Sequence, residues 1–309
     1  MRVRYRWVAS VLLALILISC RTTPSSTASD LGALHDDAIT VASFDFPESI
    51  VLAEIYSQAL TSNGYRVIRQ FNIGPRELVD PALQRGLVEL VPEYAGSALT
   101  FLGATVSDVA DPVSVHGSLS RAFETRGITV LEAAPAEDKN GFAVTSQTAS
   151  TYHLTRLSDL APIAGQLTLG GPPECPQRLL CAAGLVSTYR LRFGRFQPLD
   201  ASGPITSDAL EAGTVDVALM FTTDGDIDTD RFVLLQDDRH LQPAENVTPV
   251  VNSEVVQRFG EEVVQVIDAV SRELTTEDLR SLNAAVAGGQ TPHQAAAAWL
   301  DAHGLGQPE

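Results

Sequence analysis

The chain has 309 residues, with 21 basic against 38 acidic side chains and a formal net charge of −17. So acidic a chain argues against nucleic acid as a partner, because phosphate backbones are gripped by basic surfaces. Its length suits one large or two moderate domains.

Arg2, Arg4 and Arg6 precede VASVLLALILIS, an apolar run of about a dozen residues. That is too short for a bilayer span of roughly 20 residues but suits the apolar core of a signal peptide. The run ends Leu17-Ile18-Ser19-Cys20, a small residue before a cysteine, which resembles the lipobox of bacterial lipoproteins. The resemblance implies a signal peptide over 1–20, cleavage before Cys20, and lipidation of its thiol. The competing reading is a membrane anchor that happens to hold a cysteine. Residues 21–37, RTTPSSTASDLGALHDD, are polar and rich in Ser and Thr, the composition of a flexible tether. Without residues 1–20 the chain keeps 18 basic and 38 acidic residues, and the resulting negative field draws cations.

ITVASF (39–44) reads as a buried strand and PESIVLAEIYSQALTSNG (47–64) as a helix, its apolar face set by Ile50, Leu52, Ala53, Ile55, Tyr56 and Leu60. Pro47 suits the first turn and Asn63-Gly64 the exit. YRVIRQF (65–71) is a second strand, followed by the helix PRELVDPALQRG and the strand VELV. This βαβαβ rhythm predicts a parallel, doubly wound sheet. Further strands are expected at 128–134, 142–146 and 166–171. Cys175 and Cys181 follow within PPECPQRLLCAAG, and in an exported chain they predict a disulfide that pins a surface loop. From Ser253 onward the pattern is helical, with starts at Thr276-Glu277-Asp278 and Thr291-Pro292.

One stretch recurs. ALQRGLVELVPEY (82–94) and ALEAGTVDVALMF (209–221) share Ala-Leu, then Gly at the fifth place, Val at the seventh, an acid at the eighth and an aromatic at the thirteenth. Two similar α/β units, one per lobe, account for this. Open sheets bind ligands beyond the C-terminal ends of their strands. The repeat therefore sets Glu93-Tyr94 and Phe221-Thr222-Thr223-Asp224 at equivalent strand ends facing a cleft. Glu93 is better suited to capping the helix after its strand than to touching a ligand. Asp224 serves a turn or a ligand equally well.

A search for enzymatic chemistry returns little. The sequence has no G-x-S-x-G elbow, Walker A loop, H-E-x-x-H or paired C-x-x-C, and its six histidines are scattered. No cofactor, metal or catalytic residue is expected, and the chain is not read as an enzyme.

SFDFPESIVLAEIYSQAL, PEYAGSAL, APAEDKNGFAVT, PLDASGPITSDALEAGTVDVALMFTTDGDI, VLLQDDRHLQPAENVTPVV and LTTEDLRSLNAAV span most of the chain after the tether. In that order they resemble the substrate-binding proteins of osmoprotectant ABC importers, those for glycine betaine, carnitine and choline. The resemblance implies an α/β, two-lobed periplasmic-binding-protein fold, type II-like, each lobe a doubly wound sheet, with crossovers near 138–142 and 238–246. Lobe 1 would comprise 38–140 plus 241–309, and lobe 2 141–240. A monomer would close by a hinge on a small solute and pass it to a permease and ATPase. It would be held by its lipid at the outer face of the bacterial cytoplasmic membrane. Cys175 and Cys181 look like the cysteine pair of actinobacterial members.

Carried over by position, Tyr94 is a cage aromatic for a quaternary ammonium, which offers no hydrogen-bond donor and is held by π faces. Ser97 lies in the following turn, and Phe44, Asp45 and Ser49 in the first strand-to-helix loop. Asn140 stands at the first crossover, Phe221, Thr223 and Asp224 at the second strand end, and Glu245 and Asn246 in the return crossover. Two positions depart from the family's pattern. Ser49 replaces its Gln, and Glu245 replaces the Tyr often found in the return turn. With Tyr94 and Phe221 as the main cage faces, and Phe44 or Phe46 as further ones, a quaternary amine is the expected ligand. A different cation, a neutral aromatic or a polyol is the alternative, as is a lipid-anchored sensor in place of a transporter.

Overall fold

The computed structural model describes residues 37–103, 110–225, 227 and 231–306; Cys20 and most of the tether lie outside them. The first half of the fold holds strands β1 (Ala38–Ala42), β2 (Arg66–Gln70), β3 (Leu90–Tyr94) and β4 (Ile128–Val130). Between them run helices α1 (Pro47–Ser62), α2 (Arg76–Gln84), α3 (Ala95–Phe101) and α4 (Pro112–Glu124). The chain then builds a second sheet from β5 (Asn140–Thr145), β6 (Thr168–Gly171), β7 (Arg195–Pro198), β8 (Val217–Phe221) and β9 (Phe232–Leu234), with α5 (Ser146–Tyr152) and α6 (Pro204–Glu211). It returns through β10 (Val247–Asn252) and ends in α7 (Ser253–Phe259), α8 (Glu261–Glu273), α9 (Thr276–Ala287) and α10 (Pro292–Ala302).

The two sheets match strand for strand. Their orders are β2-β1-β3-β10-β4 and β7-β6-β8-β5-β9. Neither is wholly parallel, which corrects the expectation from the βαβαβ rhythm. β10 runs antiparallel to β3 and β4, and β5 antiparallel to β8 and β9. These are the strands that carry the chain out of each crossover, so they enter their sheet from the cleft edge and run against its grain.

The recurring sequence now has a physical reading. α2 and α6 both run out into a left-handed glycine, Gly86 at φ 67° and Gly213 at φ 68°, where a side chain is disfavoured. The acid that follows clamps the neighbouring strand: Glu89 Oε2 accepts the Thr40 N–H at 2.8 Å, and Asp216 Oδ2 accepts the Thr168 N–H at 2.8 Å. The same threonines' carbonyls take the amides of Glu89 and Asp216. Each aromatic then ends its strand opposite the start of a crossover strand, Tyr94 paired with Val247 and Phe221 with Asn140. The next amides close the corner, Ala95 N–H to Asn246 O at 3.1 Å and Thr222 N–H to Lys139 O at 2.9 Å.

Each lobe has its own core. In lobe 1 α1 is enclosed, with Leu52, Ile55, Tyr56 and Leu60 wholly buried, and α8 and α10 pack against it. Trp299 is buried in that core. In lobe 2 Phe142, Leu157, Leu169, Leu185 and Val217 surround the disulfide between Cys175 and Cys181, both of which are buried.

Because the two glycines hold the same left-handed angle, Gly86→Ala and Gly213→Ala should each cost about 1 kcal/mol. Denaturant unfolding of the single variants checks this. Equal losses are expected, and a neutral substitution at either position would separate the two units.

Candidate functional site

The C-terminal ends of β3 and β8 face each other across a cleft of about 530 Å³. Three aromatics share its floor. Phe46, from the loop between β1 and α1, lies 5.9 Å from Tyr94 and 5.1 Å from Phe221, centroid to centroid. Phe44 stacks behind Phe46 at 5.9 Å with the rings 7° from parallel. Phe46 thus joins an aromatic of lobe 1 to one of lobe 2, at separations typical of direct ring contact.

Beneath the rings lies a buried carboxylate, Glu48, from the first turn of α1 and 3 % exposed. Its Oε1 accepts the Tyr94 hydroxyl at 2.7 Å. Its Oε2 accepts the Thr223 hydroxyl from lobe 2 and Asn283 Nδ2 from α9, the latter at 2.6 Å. Asn283 also donates to the Thr223 carbonyl at 2.9 Å. Burial pushes the Glu48 carboxyl above its usual range, against the pull of those three donors. The Tyr94 phenol is raised as well, by burial first and the Glu48 charge second.

A second carboxylate, Asp138 of the first crossover, stands on the cleft wall and is 5 % exposed. Its Oδ1 accepts the Thr222 hydroxyl at 3.0 Å and the Thr223 N–H at 3.2 Å. Burial and then the nearby Glu48 charge push its pKa well up.

The cleft's arginines are committed to partners. Arg76, at the start of α2, binds Glu93 in a two-pronged pair, Nε to Oε1 at 2.9 Å and Nη2 to Oε2 at 2.8 Å, and lies 5.0 Å over the Phe44 ring. Glu93 therefore serves the guanidinium and its neighbouring Tyr94 amide, not the cap of α3 expected for it. Asp80 is wholly buried beside this pair, and burial, then the Glu93 charge, raises its pKa. On the opposite lip, Arg178 bonds Glu77 of lobe 1 at 2.8 Å and Glu174 at 3.1 Å. The disulfide closes the loop that carries Gln177, Arg178, Leu179 and Leu180 into the cleft wall, with Glu174 immediately before it. The bridge therefore pins part of the cleft wall, where the sequence suggested an ordinary surface loop.

The expected site residues divide by placement. Tyr94, Ser97, Asn140 and Phe221 line the cleft. Phe44 and Asp45 line a small neighbouring cavity of about 50 Å³ that shares Phe46, Arg76, Asn140 and Phe221 with it. Thr223 is wholly buried and reaches the site through Glu48. Asp224 accepts the Ser202 hydroxyl at 2.6 Å in a turn whose amide bonds Phe221 O. Ser49 is wholly buried and clamps its own loop, its Oγ taking the Phe44 N–H at 2.9 Å. Glu245 is 1 % exposed and holds the start of α3, accepting Ser97 N–H at 2.9 Å and Ser97 Oγ at 2.6 Å. Burial pushes its pKa up to about 7, against those hydrogen bonds. Asn246 donates to Ala134 O at 3.0 Å.

Sequence reasoning passed over Glu48, Arg76, Asp138, Arg178 and Asn283. Asp138 stands two places before Asn140, and Glu48 one place before Ser49, so position alone could have found these two. The described residues include no cluster of His, Cys, Asp and Glu fit for a metal, and no helix long and apolar enough to cross a membrane. The site can hold a compact cation between aromatic faces and buried carboxylates.

Residues 37–302 match the family described as the substrate binding domain of ABC-type glycine betaine transport system. The glycine-betaine-binding protein of Pseudomonas aeruginosa is 26 % identical over 284 residues, covering 89 % of this chain and 90 % of its own. The carnitine transport binding protein OpuCC of Listeria monocytogenes is 25 % identical over 274 residues, 87 % of each chain. A solved glycine betaine/carnitine/choline ABC transporter structure superposes with a TM-score of 0.67 at 24 % identity, covering 86 % of this chain and 99 % of that one, a likeness of fold.

Arg76→Ala would leave Glu93, whose side chain is 0 % exposed, buried and unpaired. Stability should fall by about 3–5 kcal/mol, read by denaturant unfolding. A loss below about 1 kcal/mol, the scale of an exposed pair, would show that the pair is solvated.

Proposed function

Because the chain belongs to the family of substrate-binding domains of ABC-type glycine betaine transport systems, we propose that it captures a quaternary-ammonium solute in the cleft and delivers it to its permease. One observation carries the reading: Phe46, Tyr94, Phe221 and the Asp138 carboxylate line the same cleft. A trimethylammonium group has no N–H to donate, so π faces and a nearby negative charge are the groups that can hold it, and both strengthen where water is excluded. The named binding partners of the two curated relatives, glycine betaine and carnitine, belong to the same chemical class.

Residues 38–140 with 241–309 move as one lobe and 141–240 as the other, closing as a hinge on the ligand. The chain is an extracytoplasmic monomer, and Cys20 carries the lipid that holds it to the outer face of the membrane. Contacts between the lobes support the hinge, since Glu48 with Thr223 and Arg178 with Glu77 join one to the other.

Calorimetric titration with choline, carnitine, glycine betaine and spermidine tests the ligand class. At least one quaternary compound should bind. Tyr94→Ala should weaken it by about thirtyfold, the equivalent of roughly 2 kcal/mol for a desolvated cation–π contact. Unchanged affinity would remove Tyr94 from the site. Acidification should also weaken binding. Cation capture needs ionised carboxylates, and Glu48 and Asp138 both titrate above their ordinary range. Affinity is therefore full above those raised values and falls as pH drops through them, a dependence that a titration series in buffers of decreasing pH measures. A flat profile across the acid range would show that neither carboxylate senses the ligand.

A further inference from the structure

The charges on the cleft wall do not cancel. Arg76 is matched by Glu93 through two bonds, and Arg178 is shared between Glu77 and Glu174. Lys139, the chain's one lysine, pairs with Glu137 at 2.7 Å. The acids left without a basic partner among the described residues are Asp138 on the wall and Glu48 beneath the aromatic rings. A ligand carboxylate entering this cleft would meet guanidinium groups already engaged. The strongest candidate to receive it, Arg76, is already held by Glu93 through two bonds, with Asp80 and Glu245 nearby.

Asp138 is placed to meet the ligand, and a cation beside it would favour its ionised form against the burial that raises its pKa. Two protein donors, the Thr222 hydroxyl and the Thr223 N–H, go to Oδ1. The Thr222 hydroxyl is oriented for that task, since it accepts the Lys139 N–H at 2.9 Å and so turns its own proton to the carboxylate. The side chain lines the cleft with Phe46, Tyr94 and Phe221.

We propose that this cleft selects a ligand of net positive charge, a quaternary amino-alcohol without a carboxylate, over the zwitterionic betaines, and that Asp138 sets the preference. The proposal deepens the reading above, that a quaternary amine enters the cleft, and rests on it. It is a statement about discrimination, which comes as much from penalising the wrong ligand as from holding the right one.

Titration of the wild-type protein with choline, with its uncharged carbon isostere 3,3-dimethylbutan-1-ol, and with glycine betaine tests it. Choline should bind at least about tenfold more tightly than either, a difference of one close charge contact. In Asp138→Asn choline should weaken by about tenfold or more while glycine betaine changes by less than about threefold, so the gap narrows. Glycine betaine binding as tightly as choline to the wild-type protein would overturn the proposal and leave the quaternary-amine reading intact. Equal weakening of both ligands in Asp138→Asn would also overturn it, by reducing Asp138 to a structural part. Should Asp138→Asn fail to fold, the wild-type ranking of the three compounds decides alone. Binding of none of the three would instead defeat the quaternary-amine reading itself.

Discussion

Glu48 is the constraint around which the cleft is organised. A buried carboxylate is costly unless donors surround it, and this one finds Tyr94, Thr223 and Asn283. These come from β3, from the turn after β8 and from α9, three segments far apart in sequence that belong to both lobes. Only Thr223 comes from lobe 2, so the full set of donors assembles when the lobes meet. Water could replace the Thr223 hydroxyl if the lobes parted, so both arrangements satisfy the carboxylate, and a ligand need supply only the difference between them. The bond to Tyr94 also fixes the tyrosine's hydroxyl end, which sets the tilt of the ring that faces the ligand.

The two lobes repeat one plan and then diverge where it matters. Matching strand orders, a left-handed glycine and a strand-clamping acid place Tyr94 and Phe221 at equivalent corners. The loops beside those corners differ. After β1, lobe 1 supplies Phe44, Phe46 and Glu48, whereas after β6 lobe 2 supplies the disulfide-closed lip with Glu174 and Arg178. The repeated scaffold positions the aromatic corners of the cleft; the unrepeated loops give the cleft two chemically different walls. Leu180 O, on that lip, receives Gln242 Nε2 at 3.0 Å from the return crossover, so the lip is also tied to the hinge region.

Much of this was legible in the sequence because it is local. Gly86 and Gly213 mark the turns, the buried strands carry apolar runs, and Tyr94 and Phe221 declare themselves through a repeat in phase. What stayed hidden depends on distant partners. Glu93 reads as a helix cap until Arg76, seventeen residues earlier, takes both its oxygens. Glu245 reads as a substitute for a cage aromatic, but the chain around it turns so that its carboxylate meets Ser97. Glu48 and Asp138 look like ordinary surface acids in PES and EDKN. Only the packed structure buries them, and burial is what changes their chemistry.

The position of these acids bears on how few aromatics the cleft needs. An open cage must surround a cation with rings because each face contributes little in water. Here Asp138 and Glu48 are almost excluded from solvent, and a charge–charge attraction there is screened far less than at a surface. Each carboxylate also acts through, and beside, the rings that shield it: the phenol of Tyr94 donates to Glu48 while its ring can face the ligand. Charge and π face therefore bear on the same cation. A cation bound there, as proposed, would need a smaller aromatic wall than an open cage does.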